Sequence, residues 1–228
     1  MVAIPLNRSI FARARWLILA PHADDETLGA GALIAEAARA GRLGAVAFMT
    51  DGSGSHACDD AGARRRLITL REREAGLALR RLAKQGAVAP VFLGWRDADP
   101  HAADAGALRR TQDRLLALCR TRRIDAIAVT AGDEPHCDHA AAFQLARAVC
   151  RRTPGSLALF RYAVWSETAP SGRAFETKAM PVGVRRHALQ AHRSQLTASF
   201  GPGFRLPRAK QRMPARDRLY LWESRHAA

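Results

Sequence analysis

Two short polar clusters constrain this chain of 228 residues more than any other feature, because each one follows an apolar run. The first cluster, Pro-His-Ala-Asp-Asp-Glu at 21–26, follows an apolar run at 16–20, and the second, His-Cys-Asp-His at 136–139, comes after a run at 124–129. Such runs are typical of buried strands, and an Ala-rich helical pattern follows each cluster. In open α/β sheets, active sites form at the carboxyl ends of strands. We therefore expect the two clusters to meet at one site.

The remaining apolar runs and helical patterns alternate along the chain. The predicted strands are 16–21, 45–50, 90–94, 124–130, 157–165 and 219–222, and the predicted helices are 26–40, 64–84, 107–122, 139–152 and 182–196. This alternation predicts an α/β, Rossmann-like fold with a mostly parallel sheet and helices on both faces. The length fits a single domain over residues 1–228.

The net charge of +15 raises the question of an acidic partner, but all but three of the 36 basic residues are arginines spread along the chain. A nucleic-acid-binding protein more usually clusters its basic residues and interleaves aromatic ones, so we expect a solvated basic surface and no nucleic-acid partner. No apolar run is long enough to cross a bilayer, and the N-terminus does not resemble a secretory signal. We expect a cytoplasmic protein with no membrane partner, and a homo-oligomer stays open.

The chemistry of the clusters indicates a metal site. Two Asp at a helix start are usually a cap, and a His beside acids is usually a solvated loop residue. The second cluster adds two His at spacing i, i+3 after another strand of the same sheet, and both side chains point the same way. A role in capping or in a solvated loop therefore becomes a less favourable explanation for the two clusters together. Imidazoles and carboxylates together suit zinc with an open coordination position.

The two clusters also resemble the P-H-P-D-D-E and H-P-D-H signatures of the PIG-L (LmbE-like) zinc-dependent N-deacetylases. Arg-Glu-Arg-Glu-Ala at 71–75 is similar to the R-x-x-E-A stretch of that family, and 188–195 is similar to a helix found in many bacterial members. The resemblance covers roughly residues 15–196. Ala23 and Cys137 stand where the family usually has Pro, which would stiffen each loop.

The resemblance implies a Zn²⁺ cofactor, with another divalent metal also possible, bound by the ligands His22, Asp25 and His139. It implies Asp24 as the general base that accepts a proton from the attacking water. The small-molecule substrate would be an amino sugar of the N-acetylglucosamine type, losing its N-acetyl group.

Three further roles follow from the same resemblance. His136 would help to stabilise the oxyanion of the tetrahedral intermediate, Asp138 would orient an imidazole, and Arg71 would bind substrate. For Arg71 the alternative is a surface helix residue paired with a neighbouring Glu. We expect four other histidines to be ordinary surface residues: His56, His101, His187 and His226.

Two other functions stay open from the residues alone. Gly-Ser-Gly-Ser-His-Ala at 52–57 matches a G-x-G-x-x-A pattern, which would suit a nucleotide-dependent Rossmann-fold enzyme, although it follows the second strand rather than the first. The other alternative is a basic nucleic-acid-binding protein, whose binding would weaken steeply with salt.

Overall fold

A computed structural model describes residues 2–100, 104–153, 155 and 157–223. Eight strands form one sheet: β1 Ile4–Pro5, β2 Trp16–Ala20, β3 Leu43–Thr50, β4 Val91–Trp95, β5 Ala126–Thr130, β6 Ala158–Tyr162, β7 Ala174–Glu176 and β8 Arg218–Leu221. The helices are α1 Asp25–Arg39, α2 Ala61–Ala83, α3 Ala105–Thr121, α4 Cys137–Arg151, α5 Val184–Leu189 and α6 Arg193–Leu196. The sheet thus joins strands from both ends of the described chain.

The strand order places the carboxyl ends of β2 and β5 side by side. The order is β1-β7-β8-β6-β5-β2-β3-β4, in which β8 runs antiparallel to both of its neighbours and the other pairs are parallel. From β2 the chain first builds outward through β3 and β4, and then returns to build β5 and β6 on the other side. The boundary between β2 and β5 is therefore the topological switch point, where open α/β sheets bind ligands.

Helices cover both faces of the sheet, as the sequence predicted. Strand residues alternate between two cores, because successive side chains in a strand point to opposite faces. Ile18 packs in one core with Leu33 of α1, whereas Leu17 packs in the other with Leu115 of α3. The predicted α/β class and the mostly parallel sheet are confirmed.

The predicted helix over 182–196 is wrong in one respect, because the structure breaks it into α5 and α6. His192 lies between them with φ −80° and ψ 59°, outside the helical region. The break lets the side chains of His192, Ser194 and Gln195 contact buried acidic groups, and these contacts offset the lost helical hydrogen bonds. The predicted strand over 157–165 ends at Tyr162, and the short strands β1 and β7 have no counterpart in the prediction.

No helix in the described part of the chain combines the length and the apolarity that a membrane crossing requires.

Candidate metal-binding active site

The pairing of β2 with β5 brings the two sequence clusters together. Residues 21–24 leave the end of β2 and lead into α1, and residues 131–136 connect β5 to α4. The ring centroid of His22 lies 4.7 Å from that of His136 and 5.5 Å from that of His139. The expectation that the clusters share one site is confirmed.

Three of these side chains converge as a metal-ligand set should. Asp25 Oδ2 lies 3.1 Å from His22 Nδ1 and 3.2 Å from His139 Nε2, and the three residues offer ligand atoms within 4.8 Å of one another. Ligands at about 2.0–2.2 Å from a tetrahedral zinc lie roughly 3.3–3.6 Å apart, so small adjustments would suffice. His139 Nε2 is buried without an aligned hydrogen bond to any described residue, so its lone pair is available to a metal. The donor set therefore fits a divalent metal of the zinc type.

Carboxylates surround the imidazoles of His22 and His139 and give the site a negative electrostatic potential. Burial by itself lowers the pKa of His22, but hydrogen bonds to Asp138, Asp25 and Asp97 raise it well above its usual value. Burial likewise opposes the charged form of His139, yet Asp25 and Glu134 raise its pKa to about 9. Groups that stabilise a proton on these rings stabilise a metal cation in the same place.

Two carboxylates fix the far side of the His22 ring. Its Nε2 lies 2.9 Å from Asp138 Oδ2 and 3.2 Å from Asp97 Oδ1. Asp138 Oδ2 also accepts a hydrogen bond from the backbone N–H of Ala98 at 2.8 Å. The structure thus places Asp138 against His22, while Nδ1 faces Asp25. Asp97 follows β4 and no motif in the sequence pointed to it.

Asp24 lies beside this ligand set but outside it. It is only 3% exposed and has φ 140°, a backbone conformation that few non-glycine residues adopt. Its Oδ2 accepts a hydrogen bond of 2.6 Å from Gln195 Nε2. Burial, with repulsion from Asp25, raises the pKa of Asp24 to about 7. A carboxylate with this pKa can take up and release a proton near neutral pH.

His136 is arranged as a hydrogen-bond donor. Its Nδ1 accepts the backbone N–H of Asp138 at 3.2 Å, which puts the proton of the neutral ring on Nε2. Burial, followed by the nearby His22, lowers the pKa of His136, so that the neutral form is favoured. The side chain is 39% exposed and lines the cavity, where Nε2–H can donate to a ligand.

Arg71 of α2 lies at the site and not on the surface, because only 2% of it is exposed. Its Nη2 donates to Ala23 O at 3.0 Å and its Nη1 points to Gly52 O at 3.4 Å. Gly52 has φ 69°, and a Cβ there would lie 3.2 Å from Arg71 Cζ, so the close approach favours glycine. Glu74 instead accepts from Ser194. The guanidinium therefore ties the loops after β2 and β3 together at the edge of the cavity.

The segment 192–195, at the start of α6, docks onto three buried acidic residues, a feature for which the family-like stretch at 188–195 was the only sequence signal. His192 Nε2 lies 3.3 Å from Glu26 Oε1. Ser194 donates to both oxygens of Glu74, at 2.8 Å from its N–H and 2.6 Å from its hydroxyl, and Gln195 reaches Asp24. Through Gln195, this segment holds the carboxylate of Asp24 in place.

A partly open cavity of about 390 Å³ lies at the site, within the usual range for small-molecule sites, and its lining includes Asp24, Asp25, Arg71 and His136. Its wall also includes two aromatic side chains, Trp165 and Phe204, whose ring centroids lie 6.0 Å apart. His56 was expected at the surface, which is wrong, since it is 7% exposed and contacts Arg205 Nη1 at 2.9 Å. His187 is exposed as expected, and His101 and His226 lie outside the described residues.

Comparisons with known proteins show the family of this chain and proteins of similar fold. The family model described as PIG-L, GlcNAc-PI de-N-acetylase, matches residues 17–150, more than half of the chain. No curated protein matches the chain. A conserved protein from Thermus thermophilus has a similar structure, with 27% identity, 81% of each chain covered and a TM-score of 0.60.

Two deacetylases also have similar folds. The N,N'-diacetylchitobiose deacetylase from Pyrococcus horikoshii is 21% identical, with 85% of this chain and 75% of that chain covered and a TM-score of 0.62. The pseudoaglycone deacetylase of an antimicrobial reagent is 17% identical, with 92% of this chain and 97% of that chain covered and a TM-score of 0.66.

Proposed function

We propose that this chain, which belongs to the PIG-L family of GlcNAc-PI de-N-acetylases, removes the acetyl group from the nitrogen of an amino sugar with the help of one bound divalent metal. Members of the family are metal-dependent N-deacetylases, so the chain is an enzyme of the amide-hydrolase class. The observation that carries the proposal is the convergence of His22, Asp25 and the fully buried His139, next to a cavity that is lined by His22, Asp25 and Asp24.

His22 Nδ1, one carboxylate oxygen of Asp25 and His139 Nε2 would hold the metal. When bound, Zn²⁺ or another divalent metal supplies Lewis acidity, which makes water more acidic and an amide carbonyl more electrophilic. Asp138 and Asp97 hold the His22 ring by its Nε2 side, so that Nδ1 keeps its direction. A histidine ligand usually binds the metal through one ring nitrogen and hydrogen-bonds to a carboxylate or carbonyl through the other.

Asp24 acts as the general base and then as the general acid. It is buried in the cavity wall, and the close contacts that join Asp25 to His22 and His139 do not involve it. Its carboxylate accepts a proton from the attacking water and passes it to the departing amine nitrogen, so the proton balance closes over one turnover. Gln195 holds Oδ2 in place throughout.

His136 stabilises the charge that develops on the carbonyl oxygen. Its Nδ1 is engaged by the Asp138 backbone, and its Nε2–H faces the cavity as a donor. A neutral imidazole donor suits an oxyanion because it is polarised and already oriented before the substrate arrives.

The proposed substrate class is an N-acetylglucosamine-type sugar. The substrates for which the family and the chitobiose deacetylase are named support it, and the cavity, which is lined by one guanidinium, suits a small polar molecule. Arg71 would contact the sugar through its planar fork of donors. The Gly-rich loop after β3 contributes Gly54 and Ser55 to the cavity wall and, in this proposal, borders the substrate rather than a nucleotide.

The test is the release of free amine from a panel of small N-acetyl compounds by zinc-loaded protein. We expect N-acetylglucosamine glycosides to be deacetylated, and N-acetylated amino acids and peptides to react far more slowly. Activity confined to amino acids or peptides would refute the sugar assignment and leave the amidase mechanism standing. Asp24→Asn protein run beside the wild type controls for contaminating hydrolases.

A further inference from the structure

Glu134 is a buried carboxylate beside the proposed ligand His139, and no sequence motif pointed to it. It lies in the connection from β5 to α4, two residues before His136. Its side chain has no exposed surface, and a buried carboxylate is costly unless other groups compensate for its lost hydration. The groups that surround Glu134 therefore indicate what it does.

Glu134 accepts hydrogen bonds from three successive backbone amides after β6. Oε1 accepts the N–H of Val164 at 2.8 Å and of Ser166 at 3.1 Å, and Oε2 accepts the N–H of Trp165 at 2.8 Å. The segment 164–166 is thus curled around one carboxylate. The side chain of Trp165 forms part of the cavity wall, so this contact sets the position of a surface that faces the substrate.

The same carboxylate faces a metal-ligand candidate. Oε2 lies 3.2 Å from His139 Nδ1, and the His139 side chain is fully buried. Nδ1 makes no aligned hydrogen bond to any other described residue, so its N–H is available to this carboxylate. A histidine that binds a metal through one nitrogen usually donates its other N–H to a carboxylate or carbonyl, which fixes the tautomer and the ring plane.

We propose that Glu134 is a positioning residue that holds His139 with Nδ1–H donated to its carboxylate, so that Nε2 is directed at the metal, and that it fixes Trp165 on the cavity wall at the same time. This inference rests on the proposed metal-dependent function. One buried carboxylate thereby couples the metal ligand to the substrate-facing wall. A purely structural clamp would need only the three amides and would leave the metal affinity unaffected.

Glu134→Gln tests the coupling with almost no change in shape. An amide NH₂ in place of Oε2 opposes the N–H groups of Trp165 and His139, and in place of Oε1 it opposes those of Val164 and Ser166. Either orientation sets donors against donors. We expect the dissociation constant for Zn²⁺, titrated with the metal alone, to rise about 10–100-fold, with an increased KM for the acetylated sugar.

Asp217→Asn is the matched control. Asp217 is also a buried carboxylate that accepts a backbone N–H, from Leu33 at 2.8 Å, but its side-chain partner is Arg185. This variant should lose stability and keep the wild-type zinc affinity. Folded Glu134→Gln protein that binds zinc with wild-type affinity would overturn the proposal. Wild-type protein that takes up no zinc would instead refute the proposed function on which this inference rests.

A measurement on the wild type keeps the proposal testable if the variant does not fold. In zinc-loaded protein with ¹⁵N-labelled histidine rings, His139 should show a protonated Nδ1 and a metal-bound Nε2, assigned by comparison with a His139→Gln sample. The amides of 164–166 should also exchange slowly with solvent. A protonated Nε2 on His139, or rapid exchange at those three amides, would contradict the role of Glu134.

Discussion

Replacing Asp24 by Asn separates proton transfer from metal binding and from folding. The substitution keeps the volume of the side chain, and Asn tolerates positive φ better than most residues do. An Asn oxygen can still accept the 2.6 Å hydrogen bond from Gln195 Nε2. The main change is therefore the loss of a group that can accept a proton.

The expected changes in stability and in rate differ greatly in size. A hydrogen bond to a charged group contributes about 1 kcal/mol more than a neutral one, and removing the repulsion between Asp24 and Asp25 offsets part of that loss. For a chain of this size, 1 kcal/mol corresponds to a Tm shift of about 2–4 °C. Loss of a general acid–base group should lower kcat about 10²–10⁴-fold, which is roughly 3–5 kcal/mol in the activation free energy.

The assay combines three measurements on wild-type and Asp24→Asn protein: kcat for amine release, zinc content per chain and Tm. We expect a low kcat with unchanged metal content and a nearly unchanged Tm. A kcat within a few-fold of the wild type would show that another group moves the proton. Loss of the metal together with activity would instead place Asp24 among the ligands.

Two further substitutions test the substrate contact and the packing behind the site. Arg71→Lys keeps the charge but loses the fork that spans two loop carbonyls; KM should rise while zinc content stays constant, and an unchanged KM would remove Arg71 from the substrate site. Gly29→Ala places a Cβ against the buried ring of Tyr162, which should cost about 1–3 kcal/mol and lower Tm by several degrees. Gly76→Ala, where the nearest atom would be 3.5 Å from the new Cβ, is its control and should leave Tm unchanged or raise it.

The sequence was informative where local pattern and topology point the same way. Five buried apolar residues at 16–20, then His22 and two Asp, predict a strand, a loop and a helix start, and the structure has them within a residue. The same pattern recurs before His136 and His139. Because parallel strands end at one edge of the sheet, the chain order places both clusters at that edge, and the pairing of β2 with β5 makes them adjacent.

The site residues that the sequence did not predict are positioned by contacts between distant segments of the chain. Asp97 and Glu134 lie in loops whose conformations depend on their hydrogen-bond partners rather than on any periodicity, and Gln195 reaches Asp24 from 171 positions along the chain. The break at His192 has the same origin, since helical periodicity continues through it while tertiary contacts with Glu26 favour a turn. Helix propensity is only a weak guide to local structure, and tertiary contacts of this kind override it.

The most direct test of the account is the zinc stoichiometry of the purified protein together with its dependence on His139. Metal-stripped wild-type protein, dialysed against Zn²⁺ alone, should bind one tightly held ion per chain and should regain amine release in proportion to occupancy. His139→Ala removes one of the three proposed ligands and should abolish both, while the exposed His187→Ala should leave both unchanged. Wild-type protein with full deacetylase activity and no bound metal, or His139→Ala protein with one tightly bound ion, would contradict the central claim.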